Sequence, residues 1–364
     1  MLRAALIGTS STGKTTLFQL MTHAPDTPRG KADVSIGISK VPDARLDTLT
    51  AMYNPRKRVP ATVEFADLAG VARAGTGAQT LVDVAAYKNA DALVHVVRTF
   101  RNPAVAHPSG KIDAARDAQA MEDELILADL GVAERRVERL DKDLRKARSP
   151  ELEKERDLLQ RCRHALEQGT PLRALDLTGD DLKRLRGFQL LSAKPLLLVI
   201  NVDEEDLSAV GASVERAAAQ AGLTAFLARA STRAVVLCAT IELEISQLEP
   251  HDAAAFLSDL GLKESGLDRV IRATYDLLGY ISFFTVGEDE CRAWSIARGT
   301  TAQEAAGEIH SDIQRGFIRA EVVAYDALVL RGSMHACREH GEVRLEGKDH
   351  VVEDGDIINF RFAT

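Results

Sequence analysis

Eight residues near the start of the chain, Gly8-Thr9-Ser10-Ser11-Thr12-Gly13-Lys14-Thr15, set glycines, a lysine and a hydroxyl at the spacing that cradles a polyphosphate. Glycines at both ends let a backbone wrap a phosphate with its N–H groups turned inward at a helix N-terminus. The pattern G-x-x-x-x-G-K-[ST] is specific when a strand precedes it and a helix follows. Here the apolar run Ala4-Ala5-Leu6-Ile7 precedes it and the helix-forming Thr16-Leu17-Phe18-Gln19-Leu20 follows. Gly8, Ser11, Thr12, Gly13 and Thr16 are therefore expected to line the phosphates. Lys14 is expected to place a point charge on the β and γ phosphates, for binding and for catalysis, and the Thr15 hydroxyl to coordinate Mg²⁺. A second fragment, Asp67-Leu68-Ala69-Gly70, ends another apolar run. Asp67 is expected to serve the Mg²⁺ through water, and Gly70 to turn a backbone N–H to the γ-phosphate.

The base would be met further along. Asn201-Val202-Asp203-Glu204 follows a third apolar run, where GTPases carry N-K-x-D. Asn201 and Glu204 are expected to read the base, and Cys238-Ala239, closing the next run, to bring a backbone N–H to it. Val202 stands in place of the lysine and Glu204 in place of the shorter aspartate. Guanine selectivity is not implied, because a longer acid changes which base edge fits.

These loops need strands and helices to hold them. Apolar runs over residues 3–8, 62–65, 92–98, 195–201 and 234–239 mostly lack alternation, as strands buried on both faces of a parallel sheet do. Helical stretches over 14–22 and 80–88 lie between them, which predicts a doubly wound α/β domain. Residues 117–169 contain no aromatic residue and are dense in Glu, Arg, Lys and Leu. Leu130, Val137 and Leu144 are spaced by seven, as are Leu152, Leu159 and Leu166, with Ser149 suited to an N-cap and Pro150 to the first helical position. Two antiparallel helices forming a coiled-coil arm are expected, against the plainer reading of a charged pair packed on the sheet. Beyond residue 280, strands are expected over 281–286 and 293–297. A capping box, Thr301-Ala302-Gln303-Glu304, opens a helix to about residue 314, and a strand, Asp-Gly turn and strand follow over 351–358. The expected domains are 1–116 with 176–279, the arm 117–175, and a small mixed sheet wrapped on one helix, 280–364.

With 364 residues, 45% hydrophobic, the chain has ample material for packed cores. A net charge of −8 argues against a protein that coats DNA, although the first 115 residues hold more Lys and Arg than Asp and Glu. The four cysteines, Cys162, Cys238, Cys291 and Cys337, are widely spaced and fit a reducing compartment. No window is apolar enough to span a membrane and no signal peptide is evident, so a cytoplasmic location is expected. His335, Cys337 and His340 match no zinc spacing. Arg56-Lys57-Arg58 is a short basic run that could touch RNA phosphates or form a solvated turn, and Trp294 is expected in a core.

Over nearly the whole chain the residues resemble the Obg-like ATPases, or YchF family. The resemblance rests on Val41-Pro42-Asp43-Ala44-Arg45-Leu46-Asp47, Asp67-Leu68-Ala69-Gly70, His95-Val96-Val97-Arg98 and Leu172-Arg173-Ala174-Leu175-Asp176-Leu177. Asn201–Glu204, Ala293-Trp294, Gly316-Phe317-Ile318-Arg319-Ala320 and Glu346-Gly347-Lys348-Asp349 also match. The resemblance implies an ATP-preferring, Mg²⁺-dependent hydrolase associated with ribosomes or ribosomal RNA, with a P-loop domain, a helical arm and a C-terminal ubiquitin-like β-grasp module of the TGS type. A GTPase, or a nucleotide-gated binding module with negligible turnover, are the alternatives. His107 resembles a mobile-loop histidine of the family and is the candidate to position water, since Val71 stands where a switch glutamine would. Ser11 replaces the family's asparagine, which puts K⁺ dependence in doubt. The usual switch threonine falls on Lys31, with only Thr27 nearby.

Overall fold

The computed structural model describes residues 2–23, 34–68 and 87–363. The chain divides into two units, Met1–Ile38 with Glu64–Leu277, and Ser39–Val63 with Leu278–Thr364.

The first seven strands are β1 (Arg3–Ile7), β2 (Val34–Lys40), β3 (Lys57–Val59), β4 (Thr62–Leu68), β5 (Ala92–Arg98), β6 (Leu196–Asn201) and β7 (Thr232–Leu237). All but β3 form one sheet in the order β2-β4-β1-β5-β6-β7, in which β4, β1, β5, β6 and β7 run parallel. β5 and β6 are buried along their whole length, which accounts for their unbroken apolar sequences. The pairings Leu6 with Asp67, Arg98 with Asn201 and Asn201 with Leu237 bring the C-terminal strand ends to one edge. That is the edge where open α/β sheets hold ligands. Helix α1 (Lys14–Thr22) spans the predicted residues and buries Leu17, Phe18 and Met21, each contributing roughly 1.5–3 kcal/mol. The helix expected over 80–88 lies largely outside the described residues.

Of the next helices, α2 (Ala44–Tyr53) belongs to the second unit, while α3 (Ala114–Lys146) and α4 (Pro150–Glu167) form the helical pair. The two readings of that pair each hold for part of it. The first turns of α3 bury Ala114, Ala118, Met121 and Leu125 in the core of the sheet. Further along, Ile126, Val137 and Leu140 pack against Leu158, Leu159, Cys162 and Leu166 of α4. Ser149 caps α4 and Pro150 starts it. The returning chain is fastened to the root of α3. Arg173 meets Glu122 at 2.7 Å, and Asp129 accepts from Leu191 N (2.8 Å), Ser192 N (2.7 Å) and Ser192 Oγ (2.6 Å). Carboxylates buried this deeply need such partners.

The second unit contains β3 with β8 (Tyr280–Thr285), β9 (Glu290–Ala297), β10 (Phe317–Ala324), β11 (Arg344–Glu346) and β12 (Asp356–Phe362), in the order β11-β10-β12-β8-β9-β3. The sheet is mixed, with β12 parallel to β8 and β3 parallel to β9. Helix Ala302–Ile309, opened by the expected capping box, packs Ala302, Ala305 and Ala306 on Phe283, Val322 and Phe360. Trp294 packs against the same core, its ring 6.3 Å from that of Phe283. Two local expectations need correction. The helix stops at Ile309, because His310 is extended (φ −164°), and a separate helix, Ser311–Arg315, follows. Residues 351–358 do not make a hairpin. Val351 bridges Thr301, Val352 enters the core, and Asp354 is drawn to Ser282 N (3.0 Å) and to the Arg45 guanidinium (3.0 Å).

Residues 39–63, expected within the 1–116 domain, group instead with this second unit. Arg45 explains much of that, since its guanidinium grips Asp43 as well as Asp354 and lies over the Phe284 ring at 5.2 Å. The basic run is engaged too, Arg56 with Asp289 (3.1 Å) and Arg58 with Asp47 (2.6 Å).

Candidate functional site

β1 ends at Ile7 and α1 starts at Lys14, so the phosphate motif is the turn between them. Gly8 has φ 140°, and a Cβ there would lie 2.5 Å from the Val96 carbonyl oxygen. Gly13 has φ 95°, and its Cβ would lie 2.6 Å from Asn201 Nδ2. Only glycine satisfies both backbone angle and clearance. Lys14 is buried and donates from Nζ to the carbonyls of Gly8 (2.7 Å) and Thr9 (2.6 Å). Burial pushes its pKa down to about 8, with the Asp67 carboxylate pulling the other way. A phosphate beside it would restore the ammonium's ordinary preference for its proton. Beneath the loop His95 is neutral, held at about 3 by burial first and then by the charges of Lys14 and Arg173.

Thr15 Oγ1 donates to Asp67 Oδ2 at 3.0 Å, and Asp67 is fully buried. A hydroxyl in the first turn of α1 and a carboxylate near the end of β4 are hard oxygen donors, the set that suits Mg²⁺.

Beside the loop lies a pocket of about 500 Å³. One wall is Ser11, Gly13 and Thr16, another is Asn201 to Glu204, and a third is Cys238, Ala239, Thr240 and Leu243. Phe100, Arg101, Asn102 and Val105, from the loop after β5, complete it. The fold thus brings Ser11, Gly13, Thr16, Asn201, Glu204, Cys238 and Ala239 to one cavity. Two roles change, however. Asn201 Nδ2 donates to Thr12 O (3.0 Å) and its Oδ1 accepts from Ala239 N (3.0 Å). The Ala239 N–H expected on a base is therefore turned to Asn201. Asn201 itself ties the phosphate loop to the β7 turn, with one amide N–H remaining for a ligand.

His107 is placed elsewhere. Its Nε2 lies 2.9 Å from Asp117 Oδ2 in the first turn of α3, its Nδ1 accepts from Ser109 N (3.2 Å), and its side chain is 3% exposed. It is not part of the pocket lining. Gly70, Val71, Thr27 and Lys31 lie outside the described residues.

Residues 3–146 match the family described as 50S ribosome-binding GTPase, and residues 280–363 match the YchF GTPase C-terminal family, described as a protein of unknown function (DUF933). The chain is 40% identical to the ribosome-binding ATPase YchF of Bacillus subtilis, over 99% of each chain. It is 35% identical to that of Escherichia coli O157:H7, again over 99% of each. The chain belongs to the YchF family. The solved YchF GTPase of Schizosaccharomyces pombe has the same fold, with a TM-score of 0.85 at 27% identity, covering 99% of this chain and 97% of that one.

Four lining residues of this YchF chain, Phe100, Arg101, Asn102 and Val105, escape a motif search because no short pattern marks them. Topology could have found them. β5 lies between β1 and β6 in the sheet, so whatever follows β5 must border the same cavity as the phosphate motif and Asn201. Among the described residues no helix is long and apolar enough to cross a membrane.

Proposed function

We propose that this YchF chain binds and hydrolyses a Mg²⁺-bound nucleoside triphosphate, ATP in preference to GTP, while working at the ribosome in the cytoplasm. The observation that carries the reading is a single cavity whose lining includes both the phosphate loop and Glu204. The names of its relatives, ribosome-binding ATPases, support both the activity and the partner. Lys14 and the loop N–H groups hold the phosphates. Thr15 and Asp67 would hold Mg²⁺, which supplies charge neutralisation on the phosphate oxygens when bound. The Glu204 carboxylate, acceptor only, takes the exocyclic amino group of adenine. Ser11, standing in place of asparagine, argues against K⁺ dependence. The 117–175 arm and the C-terminal unit, whose mixed sheet packed on helix Ala302–Ile309 suits a TGS-type β-grasp module, contact the ribosome.

The His107–Asp117 pair favours slow turnover, since His107 must leave Asp117 before it can position water. The same pair supports a second reading, a nucleotide-gated binding module with negligible hydrolysis. Single-turnover phosphate release from MgATP, with and without ribosomes, separates the two: release in neither condition removes the hydrolase and leaves the module. Competition between ATP and GTP tests the base, and a clear preference for GTP overturns the role given to Glu204.

A further inference from the structure

Arg98 is 2% exposed and stands at the last position of β5. Its guanidinium meets carbonyl groups from two separate segments. Nη1 donates to Ser11 O (3.4 Å) in the phosphate loop, while Nε donates to Phe100 O (3.2 Å) and Nη2 to Val105 O (2.9 Å) in the loop after β5. It also lies over the Phe100 ring, 4.4 Å from the centroid. Ser11, Phe100 and Val105 are all lining residues of the pocket. Among the described residues no carboxylate is paired with it. A buried cation met only by carbonyl dipoles and a ring face is a costly choice where an apolar side chain could fill the space. What an apolar chain could not do is bond three carbonyls at once, which the planar fork of a guanidinium can.

The N–H side of the same loop is held independently. Thr99 N and Phe100 N both donate to Asn201 O (3.0 and 3.2 Å), and Arg101 N donates to Asp203 (3.0 Å). Those bonds anchor the loop to β6 and leave Arg98 as the link from its carbonyl side to the phosphate loop.

We propose that Arg98 is a positioning residue that sets the width of the slot between the phosphate loop and the Phe100–Val105 loop, and so carries the nucleoside part of nucleotide binding. This rests on the nucleotide reading above. Titration calorimetry with MgATP and with Mg-tripolyphosphate tests it, because tripolyphosphate uses the phosphate loop alone. The quantity read is the affinity advantage of ATP over tripolyphosphate, which a general loss of folded protein would leave unchanged. In Arg98→Lys the charge stays but the fork is lost. Tripolyphosphate binding is expected to hold within about twofold while the ATP advantage drops about tenfold, the loss of one charge-assisted contact's worth of fit. Arg98→Met is expected to lose the advantage as well, together with some affinity for both ligands through the missing charge. An ATP advantage equal to wild type in the lysine variant overturns the proposal, since it would leave Arg98 only a field or packing role. Should Arg98→Met fail to fold, the lysine variant still decides. Wild-type protein that binds tripolyphosphate but shows no ATP advantage instead fails the nucleotide reading itself.

Discussion

At the phosphate end of the site, consecutive residues from Gly8 to Thr15 supply the loop, the ammonium and the hydroxyl, and the turn between one strand and one helix shapes them. At the other end the pocket is assembled from the loops after β5, β6 and β7, whose lining residues are spread from Phe100 to Leu243. The first region is specified locally, by φ values that only glycine tolerates and by a lysine that folds back on its own loop. The second exists only through cross-links such as Asn201 to Thr12 and Arg98 to Ser11. The difference teaches that the phosphate motif is shaped within a single turn of chain, whereas the rest of the pocket depends on how the sheet sets three loops against it.

The largest effect should come from the local end. Lys14→Met should weaken MgATP binding by about 100-fold, the scale of a lost buried charge–phosphate contact of roughly 3 kcal/mol. Thermal stability should hold or rise, because a buried ammonium is removed. Calorimetry and a melting curve check both halves, and a variant that binds normally would break the local account.

Gly13→Ala comes next, because it strikes where the two ends meet. Its Cβ would enter the space of Asn201 Nδ2 at a φ that L-residues avoid. A loss of about 1–3 kcal/mol in unfolding free energy is expected, measurable by denaturant titration, with weaker binding of both ATP and tripolyphosphate.

A pH titration probes Lys14 without mutation. In the free protein Lys14 gives up its proton near pH 8, below the ordinary 10.5, while a bound phosphate keeps it charged. MgATP affinity should therefore be level below pH 7 and fall by up to about tenfold per pH unit above 8. Between pH 8 and 10.5 the unliganded fold should gain stability, since the unfolded chain holds the lysine proton more strongly. Affinity independent of pH from 7 to 9.5 would contradict this.

The smallest change is expected from Glu204→Gln, which swaps an acceptor for a mixed group in the pocket lining. The ATP-to-GTP affinity ratio should drop by about 3- to 10-fold while tripolyphosphate binding is unchanged. An unaltered ratio would separate base choice from Glu204 and shift it to the loop after β5.

Much of this was legible beforehand where information is local. Helix α1, the capping box at Thr301 and the Ser149–Pro150 start of α4 follow from side chains acting within a turn of themselves. Heptad spacing foretold the seam around Val137 and Leu159. It said nothing of Glu122 and Asp129, whose partners Arg173 and Ser192 lie on the returning chain. Nor could spacing reveal that the N–H of Ala239 is directed to Asn201, or that the imidazole of His107 rests on Asp117. Each of these depends on which loops a closed sheet makes neighbours.

By itself the sequence determined the phosphate loop, the apolar strands that flank it, the capped helix starts and the presence of a second sheet, because each depends on backbone angles, caps and periodic apolar faces within a few residues. The tertiary structure alone decided that residues 39–63 join the second unit through Arg45 and Asp354, partners 309 positions apart, and that Arg98 lies beneath the pocket. A guanidinium offers the same donors wherever it stands in a sequence, and only packing chooses which carbonyls and carboxylates come within its reach.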